Sequence, residues 1–320
     1  MGNIRKPRRG SMQFWPRKRS AHSVARIRSW VSGLKAKPLG FVGYKAGMTH
    51  LQVVDNRAKS LTKNEIISMP ATIIECPPMT VCGVSFYKKS IFGLEKITSI
   101  FAEKLSKNLG ELIQLPKKKA KSFDEIKEFE DLRLLVHTNV EKTGIGTKKP
   151  KLVEIALGGS KEEKVSYAKN ILGKDISVSD VFDKCNQVDV HGISKGKGFQ
   201  GTVKRFGVPI RQHKAEKTKR GIGTLGPLNP SRVRFSVPQS GKMGFHTRTE
   251  YNKQVLKIGK EGQEVNPSGG FIRFGFVKNN YLLLKGSVVG TKKRAVFLTP
   301  ATRPNEKIPK DAPEITYLHK

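Results

Sequence analysis

Residues 192–260 constrain this chain more than any other segment. They read GISKGKGFQGTVKRFGVPIRQHKAEKTKRGIGTLGPLNPSRVRFSVPQSGKMGFHTRTEYNKQVLKIGK, and their only acids are Glu216 and Glu250. Glycine and proline recur, and no helical or strand period holds for most of the length. Such a segment cannot bury enough apolar surface to fold by itself. Its fixed positive charge, and glycines that let the backbone approach phosphates closely, suit a polyanion. A structureless stretch of this length inside a compact domain is either functional or disordered. We read it as functional and ordered by RNA.

The whole chain supports that reading. Its 320 residues carry 61 Lys and Arg against 26 Asp and Glu, a formal charge of +35. An excess of that size opposes compaction by self-repulsion and favours an anionic partner. Hydrophobic residues make up 37%, so one part of the chain forms a core and another does not. No apolar run is long enough for a spanning helix, and the basic start has no apolar signal core. Gly2 invites a myristoylation reading, but that motif wants Ser or Thr where Lys6 stands. Cys76, Cys82 and Cys185 form no CxxC pair and read as small buried residues of a reducing compartment.

Five segments emerge. Residues 1–38 form a basic extension: Phe14, Trp15 and Trp30 interleave its charges, and no acid precedes Asp55. Aromatic stacking and cation–π contacts with bases are then available. Residues 39–105 read as the first part of a β-barrel, with a hairpin expected about Lys45-Ala46-Gly47 and a break at Pro77-Pro78. Residues 106–184 are nearly charge-balanced and read as an α/β insertion facing solvent or protein. Helices are expected after Ser122 and Ser160, each with Glu three residues on, and a short one with Ser177 or Ser179 at its start. Residues 185–300 return to strands, contain the extended loop 195–255, and suggest a hairpin of FIRFGFV and YLLLKGSVV about Asn279-Asn280. Residues 301–320 read as a proline-containing tail.

The competing motifs fail on context. Gly196-Lys197-Gly198-Phe199-Gln200-Gly201 matches GxGxxG, and Val203 extends it to the kinase glycine-loop spacing. A dinucleotide site needs an apolar helix straight after the glycines, but Gly207 and Pro209 follow; the downstream kinase motifs are missing. No histidine sits in HExxH or beside a cysteine at zinc spacing. No carboxylate pair, GxSxG or Cys/His constellation supports catalysis. The candidate RNA-binding residues are therefore the charges, with a few neighbours. In the extension they are Arg5, Arg8, Arg9, Trp15, Arg17, Lys18 and Arg19. In the loop they are Lys195, Lys197, Gly198, Lys204, Arg205, Lys217, Lys219, Arg220, Arg232, Arg234, Lys242, His246 and Arg248. A ribosomal RNA-binding structural protein fits best. A nucleic-acid enzyme or DNA-compacting protein, and a protein of membrane surfaces, are the alternatives.

Four separated stretches, FVGYKAGMTH, VDVHGISKGKGFQGTVKRF, KMGFHTRTEYNKQVLKIG and NNYLLLKGSVVGTKKRAV, resemble the large-subunit ribosomal protein L three family, in that family's order. The extension PRRGSMQFWPRKRS and the insertion resemble its archaeal and eukaryotic branch, with the archaeal side favoured. The resemblance implies a translation-protein-type β-barrel, with a loop and an N-terminal tail reaching toward the peptidyl transferase centre. It also implies a cytoplasmic structural and assembly protein whose loop affects how tRNA settles in the A site. Its partners would be large-subunit ribosomal RNA and neighbouring ribosomal proteins, with no membrane and no small-molecule substrate. No cofactor is implied beyond magnesium held by the RNA. The loop tip maps onto Gly226, Pro227, Leu228, Asn229 and Pro230. Eukaryotic members carry Trp-His where Leu228-Asn229 stands, and His where Lys219 stands.

Overall fold

The structure, a computed structural model, describes residues 7–33, 35–116, 122–126, 128–184, 186–215 and 217–320. Among them the protein is mainly β with few helices. The chain divides into two units: Ser23–Gly192 with Arg248–Lys320, and Met1–His22 with Ile193–Thr247.

One strand organises the larger unit. β1 spans Phe41–Val54 without interruption, where the sequence suggests a hairpin. A register shift between Lys45 and Gly47 against β2 (Ile66–Glu75) absorbs the extra residue. Such a bulge bends a strand while preserving its pairing on either side. Gly47 belongs there for a steric reason, since a Cβ would stand 2.6 Å from the Phe271 ring. On its other edge β1 serves two partners. Phe41–Tyr44 pair with β13 (Ala295–Pro300), and Leu51–Val53 pair with β14 (Ile315–Leu318). β14 thus lies within the residues expected as a tail.

Pairing runs from β13 through β8 (Gln187–Ile193), β11 (Thr247–Gly259), β12 (Tyr281–Lys285) and β2 to β1. The β1–β13 pairing returns the path to its start, so six strands close into a ring. Closure leaves these strands no unpaired edge along that path. Phe41, Phe297, Ile73, Ile74 and Tyr281 are fully buried in the associated core. β12 reads YLLL without polar alternation, and all four residues are buried, as a strand covered on both faces requires. The expected strand FIRFGFV is instead a tight turn bridged from Phe271 to Gly275, with positive φ at Arg273 and Gly275. Asn279-Asn280 forms only a bend before β12 and closes no hairpin. Glu75 holds it by accepting hydrogen bonds from the Lys278 amide at 2.9 Å, the Asn279 amide at 3.1 Å and the Asn279 side chain at 2.8 Å.

A second sheet in the same unit takes β3 (Met79–Ser90), β4 (Gly93–Phe101), β5 (Asp131–Thr138) and β6 (Leu152–Ala156), with β7 (Asp175–Ile176) on β3. Pro77-Pro78 separates β2 from β3, because proline cannot donate to a ladder. α1 (Lys161–Ile171) carries the expected Ser160–Glu163 capping box. The helix expected after Ser122 shrinks to one 3-10 turn, Phe123–Glu125, although Ser122 and Glu125 still bond. Phe123 and Phe129 explain this. Both pack edge-on against Phe86, at 5.9 and 5.1 Å, and that tertiary contact overrides helical propensity. The short helix expected near Ser177 is likewise one 3-10 turn, Val178–Asp180. Cys76 and Cys82 are buried free thiols, and burial pushes the Cys82 thiol up to about 12. Cys185 lies outside the described residues.

Candidate nucleic-acid interface

The smaller unit joins the N-terminal extension to the basic loop. By sequence its two segments hold nineteen Lys and Arg against a single acid, Glu216. Acidic side chains therefore cannot neutralise it from within. Backbone carbonyls hold it together instead. Arg8 donates to the Ser236 carbonyl at 2.8 Å, and Arg17 donates to the Arg205 carbonyl at 2.7 Å. Arg205 in turn donates to the carbonyls of Lys242 at 3.0 Å and Gln239 at 2.8 Å. Burial lowers the Arg205 pKa, yet a guanidinium keeps its charge throughout the physiological range.

An aromatic cluster anchors these arginines. The Trp15 ring lies 5.7 Å from Phe206 and 6.1 Å from Phe235. The Arg17 guanidinium sits 4.2 Å over the Phe206 ring, and Arg8 sits 5.8 Å over Trp15. Cation–π contacts of this kind favour a fixed cation. Gly10 has φ +76, and a Cβ there would stand 2.4 Å from Phe206. Phe206 ends the short helix α2 (Thr202–Phe206), which closes on Gly207 in the left-handed conformation. Of the three aromatics that interleave the extension, only Phe14 is exposed; Trp15 packs as described, and Trp30 packs on Phe297 in the larger unit. Neither Phe206 nor Phe235 stood out in the sequence, because nothing local pairs them with so distant a tryptophan.

The glycine motif becomes a small ladder. β9 (Phe199–Gln200) pairs with β10 (Gly241–Lys242), and the Lys197 and Met243 amides bond across it to Met243 and Gly198 carbonyls at 2.9 Å. Gly244 is required by proximity: a Cβ would stand 2.0 Å from the Lys195 carbonyl oxygen. His246 is buried, and its Nδ1 donates to the Lys18 carbonyl at 2.8 Å. One ring nitrogen of His246 is thus committed to the protein.

Most of the described cations are nonetheless exposed. Arg8, Arg9, Lys18, Arg19, Lys195, Lys197, Lys204, Lys217, Lys219, Arg220, Arg232 and Arg234 are exposed, as is Gly198. Arg17, Arg205 and Lys242 are half-buried by the contacts above. Arg248 falls in the larger unit, and burial lowers its pKa. Arg5 lies outside the described residues. Beyond Arg220 the loop has no cation until Arg232. Gly226, Pro227, Leu228, Asn229 and Pro230 are all exposed, Gly226 has φ +134, and the Leu228 side chain is 92% exposed. Among the described residues no group of three His, Cys, Asp or Glu could hold a metal ion, and no helix is long and apolar enough to cross a membrane.

A closed strand ring and a unit with almost no acid define a class: a strongly basic, mainly β protein. The sequence model described as Ribosomal protein L3 matches residues 1–319. The large ribosomal subunit protein uL3 of Methanocaldococcus jannaschii is 45% identical over 325 residues, covering 99% of this chain and 97% of its own length. That of Methanococcus vannielii is 46% identical over 323 residues, covering 98% and 96%. That of Methanopyrus kandleri is 43% identical over 327 residues, covering 99% and 91%. This chain belongs to the ribosomal protein L3 family, as a structural constituent of the large ribosomal subunit of archaeal type.

Proposed function

We propose that the protein binds large-subunit ribosomal RNA through its N-terminal extension and its 195–255 loop, and supports subunit assembly. The six-strand ring is the translation-protein-type barrel of the family, interrupted by the 106–184 insertion, which faces solvent or protein. The loop tip, Gly226–Pro230, extends toward the peptidyl transferase centre and influences accommodation of A-site tRNA. One observation carries the reading: nineteen cations gathered in one unit with one acid, most of them pointing outward. Such a surface recruits phosphates and releases their counterions. Arginine side chains spent on carbonyls shape the unit, and the exposed lysines supply its affinity.

The test is salt dependence. Log affinity of the full chain for large-subunit ribosomal RNA should fall linearly with log salt. Replacing Lys195, Lys197 and Lys204 by Gln should flatten the slope by about 2, at roughly 0.7–0.9 per phosphate neutralised. An unchanged slope would remove these side chains from the interface. Equal affinity for duplex DNA at every salt concentration would favour a DNA-compacting protein instead.

A further inference from the structure

The tetrapeptide Gly-Thr-Lys-Lys occurs twice in this chain, as Gly146–Lys149 and as Gly290–Lys293. The two copies lie on unrelated segments. The first sits between β5 and β6, and the second precedes β13. Each glycine has positive φ, +78 at Gly146 and +104 at Gly290. In the larger unit the two copies line one open recess of about 290 Å³. Thr147 and Lys149 enter from one copy, and Thr291, Lys292 and Lys293 from the other, with Lys151 and Arg294 beside them. No Asp or Glu lines the recess. Neither the extension nor the 195–255 loop contributes to it except Ser23.

Five cations sharing a recess repel one another, and folding alone gives no reason to gather them. Lys149, Lys151 and Lys293 have no acidic partner among the described residues. The recess is nonetheless built. Lys45 of β1 donates through Nζ to the carbonyls of Val288 and Gly290. The Lys293 amide bonds to the Lys45 carbonyl at 2.9 Å, and the Lys45 amide bonds to the Arg294 carbonyl at 3.2 Å. On the other side the Lys151 amide and Thr138 Oγ1 bond at 3.0 Å, and the same hydroxyl meets the Tyr44 hydroxyl at 2.8 Å. Tyr44 lines the recess as a neutral phenol, its pKa pushed up to about 12 by burial. Lys292 Nζ donates to the Ile272 carbonyl at 3.1 Å. Both arms are therefore fixed by hydrogen bonds, and the ammonium groups of Lys149, Lys151 and Lys293 stay unspent.

The geometry points to a second phosphate-binding site, on the strand-rich unit, where the paired Gly-Thr-Lys-Lys arms take the sugar–phosphate backbone of large-subunit ribosomal RNA. Threonine hydroxyls and lysine ammonium groups both donate to phosphate oxygens, and ammonium donors give the stronger, charge-assisted bonds. The recess has room for small anionic groups, and its like charges are relieved only by several of them together, as a nucleic-acid backbone supplies. The site rests on the RNA reading above and adds an anchor that neither the extension nor the loop provides.

The experiment compares two full-length variants, each binding a large-subunit ribosomal RNA transcript across a salt series. One carries Lys149→Gln, Lys151→Gln and Lys293→Gln; the other carries Lys195→Gln, Lys197→Gln and Lys204→Gln. Thermal melting should match the unsubstituted protein in both, since Lys149 and Lys293 are exposed and Lys151 is half-buried. The recess variant should flatten the slope of log affinity against log salt by about 2. A flattened slope in the loop variant with none in the recess variant overturns the recess site and leaves the RNA reading standing. Unchanged slopes in both overturn the RNA reading and the recess site with it. A second readout is lysine acetylation in purified large subunits. Lys149 and Lys293 should be protected there, and should react once ribonuclease removes the RNA. Protection that survives ribonuclease assigns the recess to a protein neighbour and overturns the proposal. So does saturation by millimolar inorganic phosphate with no change in RNA slope, which marks a free-anion site.

Discussion

His246 donates its Nδ1 hydrogen to the carbonyl of Lys18 over 2.8 Å, joining residues 228 positions apart in the chain. The bond sits beside two others. The Ser20 amide meets the Phe245 carbonyl at 2.9 Å, and the Ser194 amide meets the His246 carbonyl at 2.9 Å. Extension and loop are thereby tied through groups that do not depend on the sign of the surrounding charge.

His246→Ala removes one tie and leaves the Ser20–Phe245 backbone tie in place. A single hydrogen bond contributes roughly 1 kcal/mol, so local rather than global loosening is expected. Amide hydrogen exchange of the protein without RNA should quicken about fivefold at Arg17–Ser20. Protection in the strands should be unchanged. Equal exchange at those amides in both proteins would show that His246 does not hold the extension.

Glu75 is fully buried at the end of β2, and its Oε1 accepts three hydrogen bonds from Lys278 and Asn279. Glu75→Ala leaves two backbone amides without that acceptor. Lys278 is exposed and Asn279 half-buried, so water replaces part of what is lost, and a fall of about 1–3 kcal/mol in unfolding free energy is expected. Glu75→Gln retains an oxygen acceptor and should lose distinctly less. Urea unfolding of the three proteins checks both the size and the order.

Asp55 lies at the start of the β1–β2 connection, and its carboxylate accepts from Arg57 Nε at 2.9 Å and Nη2 at 2.7 Å, and from Thr62 at 2.8 Å. The Arg57 side chain, first among these partners, holds its pKa well below the usual carboxylate range. A depressed folded pKa means the unfolded state takes up the proton first. The contribution of Asp55 is therefore complete above about pH 4, the unfolded carboxylate range, and is lost as pH falls further. Melting temperatures should separate wild type from Asp55→Asn at pH 7 and converge in strong acid. A gap that stays constant across the acid range would exclude this carboxylate as its source.

Between Gly221 and Pro230 there is no Lys or Arg, although the flanking segments are dense with them. A charged tip would stop at the first layer of phosphates, whereas an uncharged one can pack among bases. Pro227 and Pro230 stiffen it by fixing φ on either side of Leu228-Asn229. Deleting 224–230 should leave occupancy in large subunits near normal and impair peptide-bond formation on the purified particles. Sedimentation and a peptidyl-transfer assay measure the two separately. Lost occupancy with normal activity in the remaining particles would make the tip an assembly anchor.

Charge and backbone chemistry were legible in the sequence because each acts locally. The acid-poor stretch from Lys195 onward, the capping box at Ser160, the break at Pro77-Pro78 and the uncharged tip needed no knowledge of distant contacts. What depends on partners far along the chain was decided only by tertiary structure. Lys45-Ala46-Gly47 is a bulge rather than a turn because β1 has β2 beside it and Phe271 over Gly47. The turn at Phe123 replaces a helix because Phe86 offers its ring a better contact. Trp15 packs between Phe206 and Phe235, and the two Gly-Thr-Lys-Lys copies share a recess, through folding that no local period encodes. Local sequence sets what each segment can bind or bury; which segments meet is settled by ring closure, side-chain packing and hydrogen bonds between residues remote in the chain.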